Sequence, residues 1–271
     1  MVDVGRYGLV EPDDAAYRDL VDRARAQLAG TGAVELPGFL TPAGVAALVA
    51  DAEGLAPCSF HSEGVGTAYL EVPDFTLPDD HPRLAWGHYA VGAVAYDQFP
   101  ADSRLRRIYE WEPLRRLVED VLDRGPIYRY ADPFGALNLA VMGDDDELQW
   151  HFDQTDFVVS LAIQAPVRGG DFEVVPRIRS VDDERYDAVA AVLAGERAGV
   201  VTLPMVPGTL LVFEGRHSLH RVSPIAGGVA RYVGLLAYDT VPGTMGSDLL
   251  AESRYGRTVP YDSPPVAWPA S

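Results

Sequence analysis

The sequence predicts a mainly β fold with flanking α: an antiparallel barrel or jelly roll, with packing helices on its N-terminal side. Three observations carry that expectation. Apolar residues recur at helical spacing in several stretches of residues 1–125, whereas residues 126–240 break into short apolar runs separated by glycine and proline turn dipeptides. A chain of 271 residues also suits one domain, because barrels and sandwiches of this length form a single unit. The expected organisation is therefore one domain over 1–271, with a helical and irregular part (1–125), a barrel core (126–240) and a C-terminal extension (241–271).

Ala15 to Ala29 places Tyr17, Leu20, Val21, Ala24 and Leu28 on one helical face, with Asp13 and Asp14 at the positive end of the helix dipole. Gly32 to Leu40 is a short strand closed by Pro37-Gly38, and Thr41-Pro42 caps a second helix, Ala43 to Glu53. Residues 54–100 mix glycine, proline and aromatics without a clear period, which predicts an irregular, lid-like wrap. Ser103 to Leu122 returns to helical spacing, with a kink expected at Pro113.

Strands are predicted over Ile127 to Met142, Phe157 to Gln164, Phe172 to Val175, Val200 to Leu203, Thr209 to Phe213 and Tyr232 to Tyr238. The separators Gly143-Asp144, Gly169-Gly170, Pro207-Gly208 and Gly227-Gly228 are turn chemistry. Val181 to Ala194 reads as an inserted helix, and Pro264 to Ser271 as a loosely held tail.

Forty acidic residues against 22 basic ones, all arginine, give a formal charge of −18 that repels phosphate backbones and anionic lipid. Nucleic acid and membrane surfaces are therefore not expected partners. Cys58 is the single cysteine, so an intrachain disulfide and a thiolate cluster are both ruled out. Met1 to Asp14 lacks the apolar run of a secretion signal, and a cytoplasmic location is expected. A homo-oligomer is left open.

The chemistry-bearing pattern is His151-Phe152-Asp153, then His220, then Arg231. Side chains at i and i+2 of an extended segment share a side, so His151 and Asp153 can both face a barrel interior while Phe152 packs outward. Two imidazoles and a carboxylate suit non-haem Fe(II) and leave coordination positions open for reactants. His217 competes with His220, but three positions apart in an extended chain the two face opposite sides, and Arg221-Val222-Ser223-Pro224 reads as the exit of a barrel strand. A His-x-Asp tripeptide alone is also common in satisfied cores; the combination is what is specific. Arg231 shares a strand face with Val233, Leu235 and Ala237, and a guanidinium buried there requires an anion.

These residues resemble the iron(II)/2-oxoglutarate-dependent oxygenase superfamily, with its double-stranded β-helix, over Pro126 to Thr240. The resemblance implies Fe(II) on His151, Asp153 and His220, 2-oxoglutarate held at its far carboxylate by Arg231, and O2 as co-substrate. A narrower resemblance runs through Tyr128 to Asn138, Trp150 to Phe157, Gln164 to Pro176 and Gly208 to Pro224, which look like the bacterial group of radical halogenases and hydroxylases of free amino acids. Halogenases of that group have glycine where this chain has Asp153, so the carboxylate implies hydroxylation or another oxidation. Val233 departs from the wider pattern, in which a serine or threonine follows the arginine by two, so another polar group must help hold the keto acid. Asn138, inside an apolar strand, is the candidate, with a purely structural hydrogen bond as the alternative.

The resemblance implies a small-molecule substrate, a free amino acid first. Such a substrate needs an anion for its ammonium and a cation for its carboxylate. Asp132, His88 and Tyr238 are the candidates, and Trp150 is a candidate pocket wall. Two rival classes remain: a non-oxidative cupin-like isomerase or lyase, which has no need of Arg231, and a barrel that binds without catalysis.

Overall fold

The computed structural model describes residues 1–262 and Pro264. The expected tail of Pro264 to Ser271 otherwise lies outside the described residues. The chain opens with a short helix, α1 (Val4–Tyr7), then α2 (Ala15–Thr31), strand β1 (Ala33–Leu36) and α3 (Pro42–Leu55). Asp14 and Thr41 cap α2 and α3 by accepting from backbone N–H groups of the first turn, as their positions in the sequence predict. β2 (Phe60–Thr67) and β3 (Trp86–Val94) follow, then α4 (Arg104–Glu110) and α5 (Glu112–Leu122). The remaining elements are β4 (Tyr128–Arg129), β5 (Leu137–Met142), β6 (Glu147–His151), β7 (Val158–Gln164), β8 (Phe172–Val175), α6 (Tyr186–Leu193), β9 (Val201–Leu203), β10 (Leu210–Phe213), β11 (Leu219–Val222), β12 (Arg231–Leu236), β13 (Tyr238–Asp239) and α7 (Asp248–Tyr255).

The strands form a curled antiparallel jelly roll, as expected. One half runs β1-β10-β7-β12-β5 and the other β6-β11-β8-β9, and β3 joins them. Gly92 to Val94 pair with β5 while Tyr89 and Ala90 pair with β6, so one bent strand carries the sheet from one half into the other. Alternation decides what each face does. Val233 on β12, Ala140 and Met142 on β5, Leu211 and Phe213 on β10, and Phe172 and Val174 on β8 point inward and form the core between the halves. Their neighbours Leu236, Leu137, Leu139, Leu210, Val212, Val159 and Leu161 point outward and bury the apolar faces of α2, α3 and α5. α6 packs on the other half against Trp150, Phe152, Val175 and Leu219.

Two expectations are corrected, and one element was not anticipated. Residues 54–100 are not an irregular wrap: β2 and β3 pair in register from Phe60↔Ala93 to Thr67↔Trp86, and β3 is central to the sheet. Helical spacing over Ser103 to Leu122 covers two helices broken at Trp111, with Pro113 in the first turn of α5, where its missing N–H costs nothing. The C-terminal extension contains α7, capped by Ser247 at one end and by Gly256 in the left-handed conformation at the other. No helix of the described residues is long and apolar enough to cross a membrane.

Candidate metal centre

β6 and β11 build the centre. Their register runs His220↔His151 and then Val222↔Leu148, so two steps on β11 match three on β6. That bulge turns His151 inward beside Leu148 while Trp150 points outward. Beyond β6, Phe152 N–H donates to Ala68 O and Asp153 N–H to Gly215 O, which fixes the extended backbone and aims Asp153 into the barrel. His151, Asp153 and His220 offer ligand atoms all within 4.8 Å of one another. His220 Nε2 lies 3.2 Å from Asp153 Oδ2, and His151 Nε2 lies 3.9 Å from Asp153 Oδ1.

The donor set fits a hard-to-borderline divalent cation. Each histidine donates Nδ1–H to a carbonyl two residues back, His151 to Gln149 O (2.7 Å) and His220 to Ser218 O (2.8 Å). Those bonds select the tautomer in which both Nε2 lone pairs face Asp153. Asp153 Oδ2 is buried and accepts no hydrogen bond, an orphaned charged atom that a cation satisfies. Burial pushes the His151 imidazolium down to about 4, leaving a neutral ligand. Burial opposes ionisation of Asp153 as well, but the adjacent His220 ring outweighs it and holds the carboxyl below its ordinary value. His220 shows the reciprocal effect: burial disfavours its charge, the Asp153 carboxylate wins, and its value is raised.

These groups open into a cavity of about 350 Å³, lined mostly by apolar side chains that include Val91, Val158, Phe172, Met205, Phe213 and Leu235. Arg231 enters it from the first residue of β12. Its side chain is 5 % exposed, and burial pushes its value down to about 10, against the opposing charge of Asp171. Its contacts are Gly170 O, to which Nε donates at 3.1 Å, and Met142 sulfur at 3.7 Å from Nη1. No carboxylate of the described residues pairs with it. Gly170 is in the left-handed region (φ +68°), and a Cβ there would lie 3.1 Å from Arg231 Cδ, so the predicted Gly169-Gly170 turn also seats the arginine.

The other predicted residues divide. Asn138 lies on the inner face of β5, but Nδ2 donates to Phe134 O and Leu137 O, and Oδ1 accepts from Tyr255 Oη at 2.7 Å. Asp132 lines the cavity with each oxygen taking one backbone N–H, from Phe134 and from Gly246, both at 2.7 Å. Tyr238 also lines it, buried against the Tyr109 ring, with its hydroxyl 3.4 Å from Tyr109 O.

His88 and Trp150 do not reach the cavity, contrary to expectation. His88 sits on β3, where its ring bonds Glu147 at 3.0 Å and Glu63 at 3.3 Å. The bulge sends Trp150 outward beneath the guanidinium groups of Arg221 and Arg197. His217, the rival to His220, is outside the ligand group.

Sequence reasoning missed the far wall, which α7 and the segment before it supply through Gly246, Leu250, Arg254 and Tyr255. The signal was present: Ser247-Asp248 ahead of Leu249, Leu250 and Ala251 is a helix start. It also missed Gly215, where a Cβ would fall 2.2 Å from Asp153 Oδ2.

Fold and site together define a double-stranded β-helix protein with a two-histidine, one-carboxylate centre. Residues 91–245 match the Halogenase D family, and the chain belongs to that family. No curated protein matches the sequence. Among solved structures it is similar to a 2OG-Fe(II) oxygenase family oxidoreductase from Burkholderia pseudomallei, at 15% identity over 82% of this chain and 92% of that one, with TM-score 0.52. It is similar to the non-haem alpha ketoglutarate dependent epimerase SnoN from nogalamycin biosynthesis (18%, 90% and 97%, TM-score 0.56). It is also similar to EctD from S. alaskensis, solved with 2-oxoglutarate and 5-hydroxyectoine (18%, 81% and 76%, TM-score 0.53). At these identities the likeness is one of fold.

Proposed function

We propose that the protein is an Fe(II)- and 2-oxoglutarate-dependent oxygenase that hydroxylates, or otherwise oxidises, an unactivated C–H bond of a small molecule, a free amino acid first, and releases succinate and CO2. One observation carries this: the His151, Asp153 and His220 ligand atoms and the buried, carboxylate-free Arg231 line the same cavity. A guanidinium in such a place costs several kcal/mol unless an anion joins it. A dicarboxylate that reaches from the ligand triad to Arg231 supplies that anion.

When bound, Fe(II) with 2-oxoglutarate and O2 supplies the oxidising power. The protein's own groups position and exclude. The Nδ1–H bonds to Gln149 O and Ser218 O hold both imidazoles in their ligating tautomer. Arg231, aimed by Gly170 O, receives the far carboxylate of 2-oxoglutarate. Asn138 serves as a second contact through Nδ2, by turning one of the N–H groups it gives to Phe134 O and Leu137 O toward the keto acid while Oδ1 keeps its bond from the Tyr255 hydroxyl. The apolar lining keeps bulk water from the reacting carbon.

Asp153 supports oxygen transfer over halogen transfer, because a carboxylate fills the coordination position that a halide needs. Asp132 is the ammonium-facing group in this assignment, and Tyr238 forms wall.

The test is anaerobic addition of Fe(II) and 2-oxoglutarate, which should produce a visible absorption band, followed by a succinate-release screen over free amino acids with chloride present. The expected product gains one oxygen, and Asp153→Ala abolishes succinate release in a folded protein. A chlorinated product, or full activity in Asp153→Ala, overturns the assignment.

A further inference from the structure

Arg231 and Arg254 are the arginines that line the central cavity among the described residues, and the oxygenase assignment uses only the first. Arg254 comes from the last turn of α7, a different wall from the β12 strand that carries Arg231. It is half-buried, and no carboxylate of the described residues pairs with it, although acids outnumber arginines 40 to 22 in this chain. Its charge acts on both His151 and Asp153, which places it within electrostatic reach of the ligand triad.

The wall that carries Arg254 is fastened. Gly246 N–H donates to Asp132, the Tyr255 hydroxyl donates to Asn138 at 2.7 Å, and the Tyr255 ring stacks on Phe134 at 5.6 Å. Beyond the helix, Arg257 grips Asp97 with both terminal nitrogens at 2.7 and 2.6 Å. A cation on a wall so fastened, with the neutral Tyr255 hydroxyl beside it and no carboxylate of the described residues paired with it, is preorganised for an anion from outside. Asp132 lines the same cavity without pairing with Arg254, and both charges act on the Tyr255 hydroxyl. One positive and one negative group, unbridged, present complementary ends to a ligand that carries both charges.

We propose that Arg254 is a specificity-determining residue that docks a carboxylate of the substrate against the α7 wall. The proposal rests on the oxygenase assignment and names the feature its substrate must carry. Neutral analogues of the same shape leave the guanidinium unpaired in a largely apolar cavity and are rejected.

The experiment uses the full-length protein loaded anaerobically with Fe(II) and 2-oxoglutarate, probed with free amino acids and with their carboxamides. The readout is the perturbation of the absorption band as each probe is titrated. The expected result is that at least one acid binds and its amide binds about 10- to 100-fold more weakly. Arg254→Ala should weaken the acid by the same factor while the 2-oxoglutarate concentration needed to form the band stays unchanged. Arg254→Lys, which keeps the charge but not the fork, should recover part of the loss.

Equal binding of acid and amide, an Arg254→Ala variant that binds the acid like the parent, or a banded complex that binds no acid each overturns the proposal. A rise in the 2-oxoglutarate requirement of Arg254→Ala also overturns it, by giving the residue to the keto acid or the fold. Failure of the parent protein to form the band is a separate result, which removes the oxygenase assignment itself.

Discussion

Gly215→Ala tests the centre without touching a ligand. The added Cβ would lie 2.2 Å from Asp153 Oδ2, 2.9 Å from its Cβ and 3.0 Å from its Cγ. Ordinary contact requires the carboxylate to retreat by roughly 1 Å. Metal–ligand distances tolerate about 0.2 Å, so a shift of that size removes Asp153 from the centre. Fe(II) affinity should fall about 10- to 100-fold, or roughly 1.4–2.7 kcal/mol.

The assay is anaerobic Fe(II) titration at fixed 2-oxoglutarate, run on a double-mutant cycle. In the Asp153→Gly background the new methyl meets none of those side-chain atoms, so Gly215→Ala should cost nothing further there. Parent-like affinity in the single Gly215→Ala variant would refute the steric reasoning. Additive losses across the cycle would refute the claim that Gly215 acts through Asp153.

Arg231→Ala should raise the 2-oxoglutarate KM about 100-fold or more with a smaller change in kcat, measured by succinate release; an unchanged KM moves the anchor elsewhere. Metal affinity should fall with acidity, because His220 is raised and His151 sits at about 4 in the metal-free protein. Above the His220 value the metal displaces no proton and affinity is flat. Below it one proton must leave, so affinity drops at most about tenfold per pH unit, and a second proton enters only near pH 4. Fe(II) titrations across mildly acidic to neutral pH check this, and a flat profile contradicts it. Asp97→Ala should strand Arg257 and loosen α7 by about 3 kcal/mol, seen as faster hydrogen exchange in α7 while β7 and β12 stay protected; equal loss in the barrel strands counts against the tether.

The candidate ligands were legible in the sequence because an imidazole and a carboxylate stand at i, i+2 spacing with a distant second histidine, although β6 and β11, which carry the two histidines, were not among the predicted strands. Strand parity places Trp150 with Phe152 on the outer face, away from His151. The β2–β3 pair was not legible, since its strands carry Gly64, Gly66, Gly87 and Gly92 and lack a continuous apolar face, so nothing alternates for a pattern to detect. His88 was misplaced for that reason. α7 escaped because its buried positions are only Ala251 and Tyr255, while its larger apolar residues Leu249 and Leu250 stay exposed, so no wide apolar stripe marks it beyond its cap. Asn138 was legible as a buried amide in need of partners, but those partners include Tyr255, some 117 positions away in the chain, which no local pattern reveals.

The wall formed by α7 hangs from side-chain clasps at Asp97, Asp132 and Asn138 and shares no ladder with the strands that carry the candidate ligand triad. On the proposed assignment, oxidation and selection are built on separate parts. Exchanging a single peripheral helix could retarget such an enzyme to a new compound while its oxidising heart stayed as it was.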